Sequence, residues 1–234
     1  MRKAYLGLLV LLLLALSAGA SLAGDIVTVP TANQLKAGQF DAAYYYIFVD
    51  DGALMAGLRP LDIDYVRAQT LYVGLTDKVE LDIHRYDVNG LGADTIFNST
   101  VVLLPEDQMK PEVVLGGRDL SAVYGHASFF VSAAKTINPP VAGPPTKPIV
   151  RLHLSLGTKD KTLFGENRHH GLFGGVQVLY RPTYPMVGVV ALYDAQDIIT
   201  ALTVTPKPNW PTLKGGTFGG HWWIGMSYTF NEKK

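Results

Sequence analysis

The feature that most constrains this chain is an alternation of apolar and polar residues with a period of two. In the segment 78–84 apolar residues take every second position, and charged residues or His take the positions between them. The segments 150–157 and 176–180 show the same alternation. This period is typical of half-buried β-strands and differs from the 3.6-residue period of helices. The sequence therefore predicts an all-β fold.

The sequence predicts twelve strands, separated by segments rich in Gly, Pro, Asn and Asp that favour turns. The segment 209–215 has the weakest strand pattern because Pro211 interrupts it. No linker divides the chain, so we expect one domain over 24–234. The predicted strands are 38–48, 65–75, 78–88, 95–104, 111–117, 127–136, 149–158, 171–181, 186–194, 197–205, 209–215 and 220–230.

Composition narrows the class of β-protein. Of 234 residues, 48% are apolar and 17% charged, against roughly 25% charged in average soluble proteins. The formal net charge is zero, which argues against nucleic-acid binding, and the absence of Cys excludes disulfides and Cys-based zinc or thiol chemistry. Several predicted strands have the length of about 9–11 residues that crosses a bilayer. We therefore expect an antiparallel up-and-down transmembrane β-barrel of about 12 strands. A soluble periplasmic β-sandwich or ligand-binding barrel is the alternative that the same alternation allows.

The first 23 residues have the organisation of an export signal. Arg2 and Lys3 precede an apolar run over 6–16 that is too short to span a bilayer, and small residues follow up to Ala23. We expect cleavage near Ala23 and export of the mature chain. Together with the barrel prediction, this places the protein in the bacterial outer membrane, in contact with its lipid.

The last predicted strand resembles the signal by which bacterial barrels are recognised for assembly. Alternating apolar residues, a glycine and a nearly terminal Phe characterise such strands, and the corresponding residues here are Gly225, Tyr228 and Phe230. The barrel-assembly machinery is therefore an expected partner. Four residues follow Phe230, where such signals usually end on the Phe.

The polar faces of the predicted strands supply candidates for the lining of the barrel interior. Two interpretations stay open: the residues line a narrow passive pore for polar or ionic solutes, or they pair with one another and plug a structural or adhesive barrel. The candidates are Asp41, Glu80, Asp82, His84, Arg151, His153 and Gln177.

Enzymatic and metal sites have weak support in the sequence. Ser155 lies two residues from His153, and Glu166 lies near His169 and His170, but no catalytic or metal-binding motif surrounds either group. We therefore predict no enzyme, no catalytic residues, no bound metal and no cofactor.

Several short motifs resemble YjbH-like proteins, a family of outer-membrane β-barrels associated with exopolysaccharide production. The opening Val-Thr-Val-Pro-Thr-Ala at 27–32 is similar to the start of that family, and 193–198 is similar to one of its hairpins, with Leu192 in place of Glu and Ala195 in place of Gly. The resemblance implies an outer-membrane barrel that assists exopolysaccharide export, with polysaccharide or its export proteins as partners. The matching segments are 27–32, 37–40, 74–81, 103–106, 111–120 and 193–198.

Overall fold

The computed structural model describes residues 35–49, 64–89, 92–137, 148–180 and 184–231. Within these ranges, no helix is long and apolar enough to cross a membrane. The strands are β1 (Gln39–Phe48), β2 (Tyr65–Thr76), β3 (Val79–Val88), β4 (Gly92–Leu104), β5 (Glu112–Arg118), β6 (Ser128–Ile137), β7 (Ile149–Gly157), β8 (Lys161–Thr162), β9 (Gly165–Glu166), β10 (Gly171–Tyr180), β11 (Met186–Tyr193), β12 (Ile198–Thr205), β13 (Thr212–Phe218) and β14 (His221–Asn231).

Twelve of these strands form a closed antiparallel barrel, as the sequence predicts. Neighbours in the chain are neighbours in the barrel, except that β7 pairs with β10 because β8 and β9 form a separate two-stranded sheet. Pairing of Gln39 with Asn231 closes the barrel and brings both ends of the described chain to the same rim. We call that rim the terminal end and the opposite rim the loop end.

All twelve predicted barrel strands are present, and only one has substantially different bounds. The strand predicted at 209–215 lies at Thr212–Phe218. Pro211 has no N–H to donate to a ladder, and the chain before it turns through a hydrogen bond from Trp210 N to Lys207 O. Strand pairing therefore begins at Thr212, immediately after the proline.

The outward-facing side chains of the barrel are almost all apolar. In water these exposed side chains would form an apolar surface far larger than the few hundred Å² that soluble proteins usually present. Apolar side chains spread over the outer face are typical of a barrel wall that faces lipid. Examples from ten strands are Leu71, Phe97, Leu115, Val131, Leu154, Leu172, Val189, Leu202, Leu213 and Ile224.

The barrel interior is divided into two chemically different halves. Near the loop end the inward side chains are mainly apolar, whereas towards the terminal end they are mainly polar. The apolar cluster includes Tyr45, Ile47, Val66, Tyr86, Phe130, Phe173, Leu192, Ile199, Phe218 and Trp223. The buried polar set includes Asp41, Glu80, Asp82, Thr100, Ser132, His153, Gln177, Thr203, Ser227 and Thr229.

A short segment before β1 covers part of the terminal end. Leu35 is buried there, and its N–H donates to Oε2 of Glu80 at 2.7 Å. The N–H of Gly38 donates to the carbonyl oxygen of Gly74 at 3.0 Å. A Cβ on Gly74 would lie 2.0 Å from the carbonyl oxygen of Lys36, so glycine is needed for this close backbone approach.

Candidate functional site in the barrel interior

The structure places all seven predicted lining residues on inward-facing positions of the barrel wall. It does not gather them into one cluster. β3 carries Glu80, Asp82 and His84, which are at most 3% exposed. The remaining four lie on three other strands: Asp41 on β1, Arg151 and His153 on β7, and Gln177 on β10.

Arg151 is the centre of an ionic group at the terminal end. Its Nη1 donates to Oε2 of Glu106 at 2.6 Å, and its Nη2 donates to Oε2 of Glu112 at 3.3 Å. Burial works to raise the pKa of Glu106, but hydrogen bonds from Thr136 and Arg151 outweigh it, so this pKa lies below its usual range. The carboxylate is therefore charged at neutral pH and holds the 105–111 connection against the wall.

Asp41 and Lys214 lie on neighbouring parts of the wall. The Thr229 hydroxyl donates to Oδ2 of Asp41, and both side chains are buried. Lys214 donates from Nζ to the Tyr45 hydroxyl at 3.3 Å, with its ammonium 5.6 Å from the centre of that ring. Lys214 was absent from the sequence candidates, although it supplies an inward-facing cation.

The wall formed by β2, β3 and β4 contains polar atoms that the described residues leave without a hydrogen-bond partner. They are Oγ1 of Thr70, Nε2 of His84, Nδ2 of Asn98 and Oγ1 of Thr100. Buried polar groups are almost always hydrogen-bonded, to protein or to water. This wall is therefore suited to contact water or a small polar solute inside the barrel.

The 158–170 connection between β7 and β10 folds into the loop end, and we call it the plug segment. It contains the β8–β9 hairpin, with Phe164 at its tip only 2% exposed. The Phe164 ring lies 5.7 Å from the Tyr86 ring and 5.0 Å from the Phe218 ring, both edge to face. These two partners are on β3 and β13, which are not adjacent strands. One side chain of the plug segment therefore bridges separate parts of the wall.

Arg168 attaches the plug segment to the β11–β12 turn. Its Nη1 donates to Oδ2 of Asp194 at 2.6 Å, and its Nη2 lies 2.9 Å from Oδ2 of Asp197. Its Nε donates to the carbonyl oxygen of Phe164 at 2.7 Å. The guanidinium also lies 4.8 Å from the centre of the Phe218 ring. The Arg168 guanidinium thus connects the backbone of Phe164 to the barrel wall.

His169 makes the second attachment of the plug segment. Its Nδ1 lies 2.7 Å from Oδ2 of Asp160, and Nη1 of Arg118 lies 2.8 Å from Nδ1 and 3.0 Å from Nε2. Burial, and then the charge of Arg118, lower the pKa of His169 to about 4 despite the opposing effect of Asp160. The imidazole is therefore neutral at pH 7. Because a carboxylate can only accept, Nδ1 donates to Asp160 and Nε2 accepts from Arg118.

Asp160 is the negative partner in this second attachment. Burial works to raise its pKa, but the hydrogen bonds from His169 and the charge of Arg118 lower it below its usual range. Its other oxygen, Oδ1, accepts the backbone N–H of His169 at 3.1 Å. The carboxylate therefore orders the backbone of the plug segment as well as its imidazole.

The groups considered for catalysis or metal binding have other contacts. The Ser155 hydroxyl donates to the Ser132 hydroxyl at 2.8 Å. Glu166 makes an exposed ion pair with Lys161 at 3.7 Å. Among the described residues, no group of three or more His, Cys, Asp or Glu side chains could hold a metal ion.

The sequence patterns did not identify the residues that attach the plug segment as a site. The sequence does contain a signal for two of them, because Asp194 and Arg118 lie in motifs of the family resemblance. Asp194 accepts the backbone N–H groups of Gln196 and Asp197 with Oδ1 at 2.9 and 2.7 Å, so the motif builds a tight turn and leaves Oδ2 for Arg168. No local pattern indicates that Phe164 and Arg168 enter the barrel.

Comparison with solved structures finds outer-membrane proteins at low similarity. An outer membrane channel from Pseudomonas putida F1 matches over 90% of this chain and 99% of its own, with 13% identity and a TM-score of 0.41. The outer membrane protein OprG from Pseudomonas aeruginosa matches over 85% of this chain and 99% of its own, with 14% identity and a TM-score of 0.20. No family model and no curated protein matches the sequence.

Proposed function

We propose that this protein is a bacterial outer-membrane β-barrel that forms a narrow passive passage for small polar solutes, closed at the loop end by the plug segment. The observation that carries the proposal is the position of Phe164. Its ring lies inside the barrel between Tyr86 and Phe218, within the apolar cluster at the loop end. The barrel is therefore closed by the plug segment, which can leave the interior without breaking the hydrogen bonds between barrel strands.

The membrane part of the proposal is supported by the outer wall and the strand count. The outward positions are apolar along the strands, and twelve antiparallel strands bring both ends of the described chain to one rim. In bacterial barrels that rim faces the periplasm and the longer connections face outside. The two longest connections, 49–64 and 158–170, are both at the loop end, which we therefore assign to the cell exterior.

The passage part of the proposal is supported by the chemistry of the interior. Arg151 and Lys214 contribute basic side chains, and Glu80, Asp82 and Asp41 contribute acidic side chains from other parts of the wall. Side chains of both signs in a confined space favour polar solutes over apolar ones. The apolar ring near the loop end is the barrier that such a solute meets when Phe164 is in place.

A permanently sealed structural or adhesive barrel is the second candidate, and burial favours it. Phe164, Arg168 and His169 are each at most 4% exposed, as in a stable core. A link to exopolysaccharide is supported by the sequence motifs that resemble YjbH-like proteins. Because Phe164 lies inside the loop half, such assistance would involve the connections at the loop end.

Conductance in planar bilayers separates the two candidates. We expect rare, small openings for the wild-type protein and frequent openings for Phe164→Ala, which removes the ring between Tyr86 and Phe218. Lys161→Ala, which changes an exposed residue of the same hairpin, is the matched control and should behave as wild type. A folded Phe164→Ala barrel without openings would favour the sealed barrel. Wild-type protein that stays soluble without detergent, with a gel mobility unaffected by boiling, would contradict the membrane assignment.

A further inference from the structure

Charge is rare on the outward wall of the barrel and is concentrated in one place. Among the described strands, four outward-facing positions carry a charged side chain: Arg67, Arg85, Asp87 and Lys135. Three of them lie together on β2 and β3, towards the loop end. Lys135 lies near the terminal end, where its Nζ donates to carbonyl oxygens of the 105–111 connection at 2.5–3.3 Å.

Arg67 and Arg85 form a basic pair with one positive charge in excess. Asp87 is opposite Arg67 in the ladder and accepts from its Nη2 at 2.6 Å. Arg85 is opposite Gln69, two residues further along β2, and its side chain is exposed. No described residue accepts a hydrogen bond from Arg85 or forms an ion pair with it. A cation on a lipid-facing wall is costly unless it reaches the interface or an anion.

Aromatic side chains beside the pair indicate the level of the membrane interface. The Tyr46 ring stacks on the Tyr65 ring at 4.9 Å and contacts the Phe48 ring at 4.8 Å. The Arg67 guanidinium lies 5.2 Å from the centre of the Tyr65 ring. Tyr and Trp collect at headgroup depth because one end of the ring is apolar and the other polar. The basic pair is therefore at the headgroup level of the leaflet at the loop end.

An apolar groove begins next to these aromatic residues. It runs along the outer face of β1, β14 and β13 and has a volume of about 530 Å³. Gly215 faces outward opposite Ile224 and contributes no side chain, which keeps the groove open. Tyr46 and Phe48 belong both to the groove and to the aromatic group. The outward-facing residues that line the groove are Tyr44, Tyr46, Phe48, Leu213, Ile224 and Met226.

We infer that this surface is a binding site for a phosphorylated glycolipid of the outer leaflet. Arg67 and Arg85 hold a phosphate group, since guanidinium groups bind phosphate through paired, charge-assisted hydrogen bonds. Gln69 and the hydroxyl of Tyr65 face the saccharide, and an acyl chain occupies the groove. The inference rests on the proposed function, because the loop end must face the leaflet in which phosphorylated glycolipids reside.

Lipid retention measured by native mass spectrometry tests the inference. The protein is placed in phosphatidylcholine nanodiscs that contain a small fraction of diphosphorylated lipid A, its dephosphorylated form or phosphatidylglycerol. We expect enrichment of the diphosphorylated lipid on the wild-type protein. In the double variant Arg67→Gln/Arg85→Gln this enrichment should fall by about tenfold or more, because two charge-assisted contacts are removed. Lys135→Gln removes an outward cation at the other rim and should retain it.

Four results would overturn the inference. Equal retention by the double variant would show that the arginine pair does not hold the lipid, and equal enrichment of phosphatidylglycerol would show general attraction of anions. Absence of any enrichment on a barrel that has inserted, as shown by its heat-dependent gel mobility, would reject the lipid site and leave the proposed function intact. Failure of the wild-type chain to insert would reject both.

Discussion

The Arg168 guanidinium donates from Nη1 to Oδ2 of Asp194 at 2.6 Å, and the two side chains are 5% and 0% exposed. This contact joins the plug segment to the barrel wall. Asp194 is itself held by two backbone N–H groups of its own turn, so it offers Arg168 an acceptor in a fixed position. The Arg168–Asp194 ion pair, together with the Phe164 ring that Arg168 supports, is therefore one of the two attachments that hold the loop end closed.

Arg168→Ala should loosen the plug segment. Breaking a buried ion pair leaves an uncompensated charge, here on Asp194, and costs about 3–5 kcal/mol. Because the same guanidinium supports the backbone of Phe164, we expect more frequent openings in planar bilayers and a lower thermal midpoint in detergent. Both quantities should be measured on the same preparation.

Lys161→Ala is the control for this prediction, since Lys161 and Glu166 form an ion pair in the same hairpin. That pair is exposed, with a separation of 3.7 Å, and exposed pairs contribute about 0–1 kcal/mol. The thermal midpoint and the openings should stay close to wild type. Equal behaviour of the two variants would show that the Arg168–Asp194 contact does not control closure.

Acidification should destabilise the protein through His169. Its pKa is about 4 in the folded protein, below its ordinary value near 6.5, because of burial and the charge of Arg118. The unfolded chain therefore binds a proton at a higher pH than the folded chain does, and stability falls as the pH drops from about 6.5 to about 4. The full shift corresponds to about 3 kcal/mol. Thermal midpoints measured in detergent from pH 7.5 to pH 4.5 should show most of this loss of stability.

His169→Gln separates this effect from other titrations. The amide keeps a donor for Asp160 and an acceptor for Arg118 but takes up no proton in this range. The slope of the midpoint between pH 6.5 and 4.5 should become shallower than in wild type. Since the pKa of Asp160 is lowered, its own contribution is lost only at a more acidic pH than this range and should remain in both proteins. An unchanged slope in the variant would assign the acid sensitivity to another group.

The barrel could be predicted from the sequence because its strands obey one rule. In the half of the barrel towards the terminal end, the strands alternate between an apolar outer wall and a polar interior, so the period of two there gives both the strand and the direction of its side chains. This is why Glu80, Asp82 and His84 were placed together on the inward face of β3. The alternation is weakest in β13, because Gly215 and Gly216 have no side chains that could mark its apolar and polar faces. For this reason the sequence did not indicate that Lys214 faces inward.

The plug segment could not be predicted because its structure depends on contacts far away in the chain. Its strands, β8 and β9, have two residues each, which is too short for any period. Phe164 and Arg168 look like ordinary loop residues until the barrel closes and brings Phe218 and Asp194 beside them. The motif with Asp194 was visible, but the sequence alone does not reveal its partner.

Two adjacent glycines of β13 should differ sharply in their tolerance of a methyl group. A Cβ on Gly216 would lie 1.8 Å from the carbonyl oxygen of Thr200, whereas the nearest atom to a Cβ on Gly215 is the carbonyl oxygen of Trp223 at 3.5 Å. Gly216→Ala must therefore push β12 and β13 apart and should destabilise the barrel by about 1–3 kcal/mol or more. Gly215→Ala should fold as wild type. Yields of heat-modifiable, folded barrel compare the two, and equal yields would contradict the strand packing.

Replacing Leu202 by Arg tests whether the outer wall faces lipid. Leu202 is 53% exposed in the middle of β12, and in a soluble β-protein a charged residue at such an exposed position changes stability by no more than about 0.5 kcal/mol. On a lipid-facing wall an Arg near the bilayer midplane costs about 2–4 kcal/mol, and the cost falls to about 0–1 kcal/mol near an interface. Leu75→Arg, at the end of β2 and 55% exposed, is therefore the matched control. We expect unfolding titrations in phospholipid vesicles to show a loss of stability for Leu202→Arg several times larger than for Leu75→Arg. Equal, small losses would indicate that the wall faces water.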